Sequence, residues 1–208
     1  MLDHLVYATR DLDQSIDHLE SLLGVRAVVG GQHIGRGTRN ALLALGPSSY
    51  LEIVGPDAAQ PAPPSPRWFS VDTLTTPKFV TWAAKATQLA ALRTKAAVNG
   101  IEIGEVTSGQ RTRMDGVELS WQLTSPSTGF TGIADGVVPF FIDWGASAHP
   151  AGSAAQGLTL VDFRAEHPSP DRVQRMLTLL DVTLTVRHGA APALIATIDG
   201  PRGRIELR

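Results

Sequence analysis

The sequence predicts an α+β fold. Repeated βαβββ modules form a curved mixed sheet around a central cavity, and a third, shorter module sits at the C-terminus. Three observations predict it. The same order of strand and helix patterns recurs three times, with helix starts near residues 12, 88 and 170. A four-stranded unit with one crossover helix leaves a sheet face that it cannot bury alone, so two copies side by side enclose a concavity. Two breaks in composition separate the copies: five prolines within residues 56–66, and the Gly/Ala/Ser-rich stretch 145–157.

The elements follow in order. Residues 5–8 (Leu-Val-Tyr-Ala) read as a short strand. Asp11 or Asp13 opens a helix whose apolar stripe is Ile16, Leu19, Leu22 and Leu23, and Gly24 stands where a C′ glycine closes it. Strands are predicted at 25–29, 39–45 and 49–54. The order then repeats: a strand at 79–82, a helix capped by Thr87 and ended by Asn99-Gly100, strands at 101–106 and 117–123 flanking an Asp115-Gly116 turn, and a closing strand at 137–144. The third copy has a strand at 157–163, a helix opened by Ser169-Pro170-Asp171, and strands at 182–186, 193–198 and 204–207. Residues 145–157 read as a flexible linker, which divides the chain into 1–145, the paired modules, and 146–208, the third.

Composition narrows the function. The chain has 208 residues, no cysteine, 43% apolar and 18% charged residues, and a net charge of −2 without a basic run. Disulfide scaffolds, zinc fingers, iron–sulfur sites and thiol nucleophiles are excluded. Nothing points to a nucleic-acid partner or a membrane span. The N-terminus has neither the basic nor the apolar region of a signal peptide, so a cytoplasmic protein acting on a small molecule is expected. The Gly-x-Ser-x-Gly elbow, the dinucleotide fingerprint and His-Glu-x-x-His are all missing.

The opening Leu2-Asp3-His4-Leu5-Val6-Tyr7-Ala8, then Asp11-Leu12-Asp13 and Leu23-Gly24, resembles the vicinal oxygen chelate superfamily of glyoxalases, extradiol dioxygenases and antibiotic-resistance proteins. The run from Gly30 to Asn40, Tyr50-Leu51-Glu52, Met114-Asp115-Gly116 leading to Trp121, and Pro139-Phe140-Phe141-Ile142 resemble its glyoxalase-like domain family. The resemblance covers residues 2–150. It implies metal ligands on the first and fourth strands of each module, hence His4 and Glu52, and a divalent ion: Zn, Fe, Mn, Co or Ni. If one metal serves both, their side-chain atoms must approach within about 3–4.5 Å. In the second module, Val80 or Thr81 falls opposite His4 and Asp143 opposite Glu52. Asp162 and Glu206 hold comparable places in the third.

Other candidates come from the residues themselves. His33 lies in a glycine-dense turn and is read as a third metal ligand, a general base or a substrate contact; a brace for the hairpin is the alternative. If it lines the cavity outside the core, His33→Ala costs no more than about 0.5 kcal/mol. Thr38 and Asn40 stand beside it as polar contacts. Arg111 and Arg113 can clamp a carboxylate or carbonyl, and Trp121 and Trp144 can wall a pocket, although a core role also fits both. His149, His167 and His188 are assigned to the surface. Two functions follow. One is a metal-dependent lyase or isomerase acting on a small oxygen-bearing substrate, with Glu52 or His33 moving the proton and the metal as Lewis acid. The other is a metal-free protein that binds or sequesters a small ligand. A third role gives the C-terminal module to pairing two copies as a homodimer.

Overall fold

The computed structural model describes residues 1–113, 116–125 and 132–208. Asp115 of the expected turn, with Met114, lies outside the described residues. The first module runs β1 (Leu2–Ala8), α1 (Leu12–Leu23), β2 (Val28–His33), β3 (Thr38–Gly46) and β4 (Ser49–Pro56). The second runs β5 (Lys78–Lys85), α2 (Leu89–Val98), β6 (Glu105–Thr112), β7 (Glu118–Ser125) and β8 (Phe140–Asp143). Together they make one eight-stranded mixed sheet, ordered β2-β3-β4-β1-β5-β8-β7-β6. In each module the first strand runs parallel to the last (β1 with β4, β5 with β8), and the modules join through the antiparallel pair β1–β5. The Arg111 guanidinium on β6 donates to the carbonyl of Gly30 on β2, so the two edge strands meet and the sheet nearly closes.

Period-two alternation sorts the strands between two faces. The convex face of the first module, including Leu5, Leu51 and Ile53, packs on α1 through Leu12, Ile16, Leu19 and Leu23. Asp11 caps α1 by accepting from the Gln14 backbone N–H, and Gly24 closes it in the left-handed region. The concave face carries Val6, Ala8, Val54, Ala83, Leu123, Phe140 and Ile142, covered in part by Phe69, Val71 and Leu74. The proline-rich connector thus holds more than a spacer. Arg67 Nε donates to the Gly37 carbonyl, and Trp68 and Phe69 turn into the concavity.

The third module is β9 (Thr159–His167), α3 (Pro170–Leu179), β10 (Thr185–His188), β11 (Ala193–Gly200) and β12 (Gly203–Leu207). It keeps the element order but not the wiring. Its sheet is ordered β10-β9-β11-β12, with the first strand parallel to the second rather than to the last. It packs on the convex side, where Phe163 meets the Trp82 ring edge-on at 5.2 Å between centroids.

Several boundaries move. The strand expected at 25–29 is β2 at 28–33, because Gly30-Gly31 form a register shift inside the strand instead of ending it. The strand expected at 101–106 is β6 at 105–112; Ile101 and Ile103 are instead buried in the core ahead of it. Helix α2 is entered through Gln88 in the left-handed region, without a Thr87 cap. The stretch 145–157 is not a free linker. A short 3₁₀ turn at Pro150–Gly152 buries Ala151, and Ala44 N–H donates to the Ala155 carbonyl. Small side chains let this segment lie directly against β3.

Candidate functional site

One cavity opens on the concave face. Counted to its open mouth it measures about 450 Å³. His4, His33, Asn40, Tyr50 and Glu52 supply one wall, all from the first module; Trp121, Leu123, Phe140, Ile142 and Trp144 supply the facing wall, joined by Arg111.

Glu52 sits at the centre of the polar wall. His4 Nε2 faces its Oε2 at 3.5 Å and His33 Nε2 faces its Oε1 at 3.4 Å. Asn40 Nδ2 donates to Oε1 at 2.5 Å and lies 3.2 Å from His33 Nε2. The carboxyl is buried, which by itself raises its pKa. The hydrogen bond to His33, the charges of His4 and His33, and the Asn40 amide outweigh that and lower it from 4.5 to about 2. Glu52 is therefore ionised at neutral pH.

Each imidazole is fixed from behind. His4 Nδ1 lies 2.7 Å from Asp3 Oδ1, and His33 Nδ1 lies 2.9 Å from Thr38 Oγ1. Asp3 is fully buried, yet its acid is held well below the carboxylate range: burial opposes this, and hydrogen bonds to His149 and His4 overcome it. An ionised Asp3 accepts the Nδ1 proton of His4 and leaves a lone pair on Nε2. On His33, the Asn40 amide donor likewise faces Nε2 and puts the proton on Nδ1. Protonated, the two imidazoles hold Glu52 ionised; neutral, with the proton on Nδ1, they turn Nε2 lone pairs toward it instead. Such an acceptor cluster is satisfied by a cation or by an added proton.

Adjacent strand residues normally point to opposite faces, yet Asp3 and His4 meet. The β1–β5 register shifts between Leu2 and His4, leaving Asp3 without a partner there, and this bulge turns both side chains to the same side. Trp144 Nε1 and His149 Nε2 also reach Asp3, at 3.2 and 3.1 Å. Gly30 has its own local reason: a Cβ there would come within 2.3 Å of Asn40 Oδ1, the one buried side-chain polar atom without a hydrogen bond among the described residues.

The expected residues divide clearly. His4, His33, Asn40, Glu52, Arg111 and Trp121 all line the cavity. His33 ends strand β2 and does not sit in the turn, which is 34–37. Thr38 is fully buried and touches His33, so it holds that ring instead of facing the cavity. Arg113 does not line the cavity; it lines a surface cleft with Val28, Val29 and Ser153, which Arg111 also borders. Asp143 is not opposite Glu52. Matching the concave-facing parallel pairs His4–Tyr50 and Ala83–Phe140 puts Ala83 and Ile142 at the places of His4 and Glu52. Asp143 points away and accepts from the Gly145 N–H. Asp162 and Glu206 are surface acids paired with Arg164. His149, assigned to the surface, is tied to buried Asp3, and His167 is buried, while His188 is exposed. Asp3, Tyr50, Trp68 and Phe140 went unread. Asp3 carries a local signal, an acid beside the apolar run of its strand.

The donor chemistry suits a divalent ion: two imidazole Nε2 atoms and one carboxylate, each ring nitrogen oriented by a buried partner. The separations of 3.4 and 3.5 Å match two ligands on bonds near 2.1 Å at a tetrahedral angle. The two rings address opposite oxygens of Glu52, however, and no group of three or more His, Cys, Asp or Glu among the described residues closes on a single point. Occupation would require the Asn40 amide to leave Oε1.

Paired βαβββ modules curled around a shared cavity are the architecture of the vicinal oxygen chelate superfamily. Within it, the glyoxalase-like domain model matches residues 2–180, and the chain belongs to that family. A hypothetical protein from Staphylococcus aureus is similar over 99% of this chain and 83% of its own, with a TM-score of 0.66 and 15% identity. Methylmalonyl-CoA epimerase from Mycobacterium tuberculosis is similar over 68% of this chain and 85% of its own, with a TM-score of 0.43 and 22% identity. The Streptomyces coelicolor epimerase in complex with 2-nitronate-propionyl-CoA gives 72%, 98%, 0.45 and 16%. These are likenesses of fold. No curated protein matches the chain. No described helix is long and apolar enough to cross a membrane.

Proposed function

We propose that the cavity binds a small oxygen-bearing molecule, and that His4, His33 and Glu52 hold a divalent cation at its polar end for lyase or isomerase chemistry. The observation that carries this reading is the placement of two imidazole Nε2 atoms, each ring held from behind, at 3.5 and 3.4 Å from a buried carboxylate. When bound, the ion supplies Lewis acidity toward a ligand oxygen. A carboxylate held near 2 is a weak proton acceptor, which suits Glu52 to holding charge. The apolar wall excludes water and receives the rest of the ligand.

A metal-free binding protein is the second reading. It is favoured by the Asn40 amide already seated on Glu52 Oε1 and by the lack of polar ligands at Ala83 and Ile142. Metal analysis of protein purified without chelators separates the two. About one equivalent of a divalent ion in the native chain, lost in Glu52→Gln and His4→Ala, supports the first. A metal-free protein that takes up no added ion supports the second.

A further inference from the structure

The polar end of the cavity has a donor side as well as an acceptor side. Arg111 is 6% exposed and Tyr50 3%, and both line the cavity beside Glu52. A guanidinium carries five N–H donors. Among the described residues, Arg111 makes one hydrogen bond, to the Gly30 carbonyl, and no ion pair. Glu52 is close enough for their charges to interact yet makes no ion pair with Arg111. The Tyr50 ring stacks on His4 at 4.6 Å, and its hydroxyl makes no hydrogen bond to the described residues. Burial, with the charges of Glu52 and Asp3, raises its pKa well above the ordinary value, so it remains an O–H donor.

A buried cation with one neutral partner is costly unless something else completes its shell. The approach to the cavity carries another cation, Arg36, whose guanidinium lies 4.7 Å over the Trp68 ring. The other polar residues along it are His33, Thr107, Ser108 and Gln110, none of them an acid. Glu52 is the sole acid lining the cavity or this approach among the described residues.

We propose that Arg111 and Tyr50 receive the carboxylate of a small monocarboxylic acid whose apolar body lies against Trp121, Leu123, Phe140, Ile142 and Trp144. The inference rests on the cavity being a ligand site and names the class of molecule it takes. A planar carboxylate matches the guanidinium fork, and the Tyr50 hydroxyl supplies a further donor. A cation on the Glu52 side adds positive charge to the same cavity, so metal and carboxylate strengthen each other's binding.

The test is isothermal titration of the full chain with phenylacetate, 4-methylpentanoate and acetate, each against its primary amide, in EDTA and again with one equivalent of Mn²⁺. The two larger acids are expected to bind at least about tenfold tighter than their amides, and acetate more weakly for want of an apolar body. Arg111→Met erases the preference for acid over amide, Arg111→Lys keeps part of it, and Tyr50→Phe weakens the acids without weakening the amides. Equal affinity for acid and amide, or no binding of any acid up to about 10 mM, overturns the inference. If Arg111→Met fails to fold, the native acid–amide comparison and Tyr50→Phe decide. An acid preference that persists in EDTA, in a chain that takes up no Mn²⁺, upholds the inference while the metal reading falls, so the two fail separately.

Discussion

Glu52 shows how a buried acid is kept charged. Burial alone would raise its pKa, and the neighbours that outweigh this are the groups that shape the site: His33, His4 and Asn40. Its folded pKa of about 2 lies below the ordinary 4.5, so the stabilisation it gives is fully present above pH 4.5 and is lost as the pH falls toward 2. Asp3 acts in the same direction. In EDTA, the melting temperature of the native chain is expected to fall more steeply over that window than that of Glu52→Gln; parallel acid limbs would show that Glu52 titrates normally. His33 is deeper than its sequence context suggests. Its side chain is 9% exposed, it is bonded to Thr38, and it lies beside the Asn40 amide. Removing it strands those partners, so His33→Ala is expected to cost about 1–3 kcal/mol in a denaturant melt, more than the 0.5 kcal/mol of a rim residue, and also to weaken metal binding.

At the level of elements, β2 and β6 do more than edge the sheet. Both carry glycines where a neighbouring side chain lies across the backbone. On β6, Gly109 pairs with Trp121, and a Cβ there would come within 2.5 Å of the indole. Gly109→Ala is therefore expected to push Trp121 off the apolar wall. The expected result is a drop in ligand affinity of roughly tenfold or more with a stability loss of about 1–3 kcal/mol. Unchanged titration curves would mean that Trp121 is not a binding surface. The segment between the sheets belongs to the site as well. It brings His149 to Asp3, which ties His4 to a residue 145 positions further along the chain.

Across the whole molecule, the two halves of the large sheet share a topology and divide the chemistry. The first module supplies the imidazoles, the amide and the carboxylate; the second supplies Trp121, the aliphatic wall and Arg111, with Trp144 just after its last strand and Trp68 from the connector. The third module is outside the cavity but not outside the core. One apolar cluster runs from Leu5 and Trp82 through Leu158 and Ala165 to Leu207. We keep 145/146 as the proposed division of the chain and expect it to separate wiring rather than stability. A fragment of residues 1–145 exposes the face of Trp82 that Phe163 covers and loses the segment packed on β3. It is expected to melt without a sharp transition and to bind hydrophobic dye. A cooperative melt within a few degrees of the full chain would show two independent units.

Local patterning determined the elements of this protein. Recurring helix stripes, the Asp11 cap, Gly24 and β-branched runs fix three strand–helix–strand units, because hydrophobic period and turn chemistry act within a dozen residues. His4 and Glu52 as a pair came from the resemblance to the family, and only Glu52 also stands out by itself, as an acid inside an apolar strand that needs a cavity or a partner. What lay beyond local patterning were relations set by pairing and packing. A difference of one residue put Ile142, not Asp143, into the cavity, because strand neighbours face opposite ways and register is fixed across the sheet. The bulge at Asp3 that joins it to His4 depends on β5, some 80 residues away. The pairing of Asp3 with His149 and the close approach of Arg111 to Gly30 depend on chain closure. Likewise, the third module repeats the order of the first two but not their sheet, because neighbouring-strand choice is settled by which apolar face is left to cover and not by the sequence of elements.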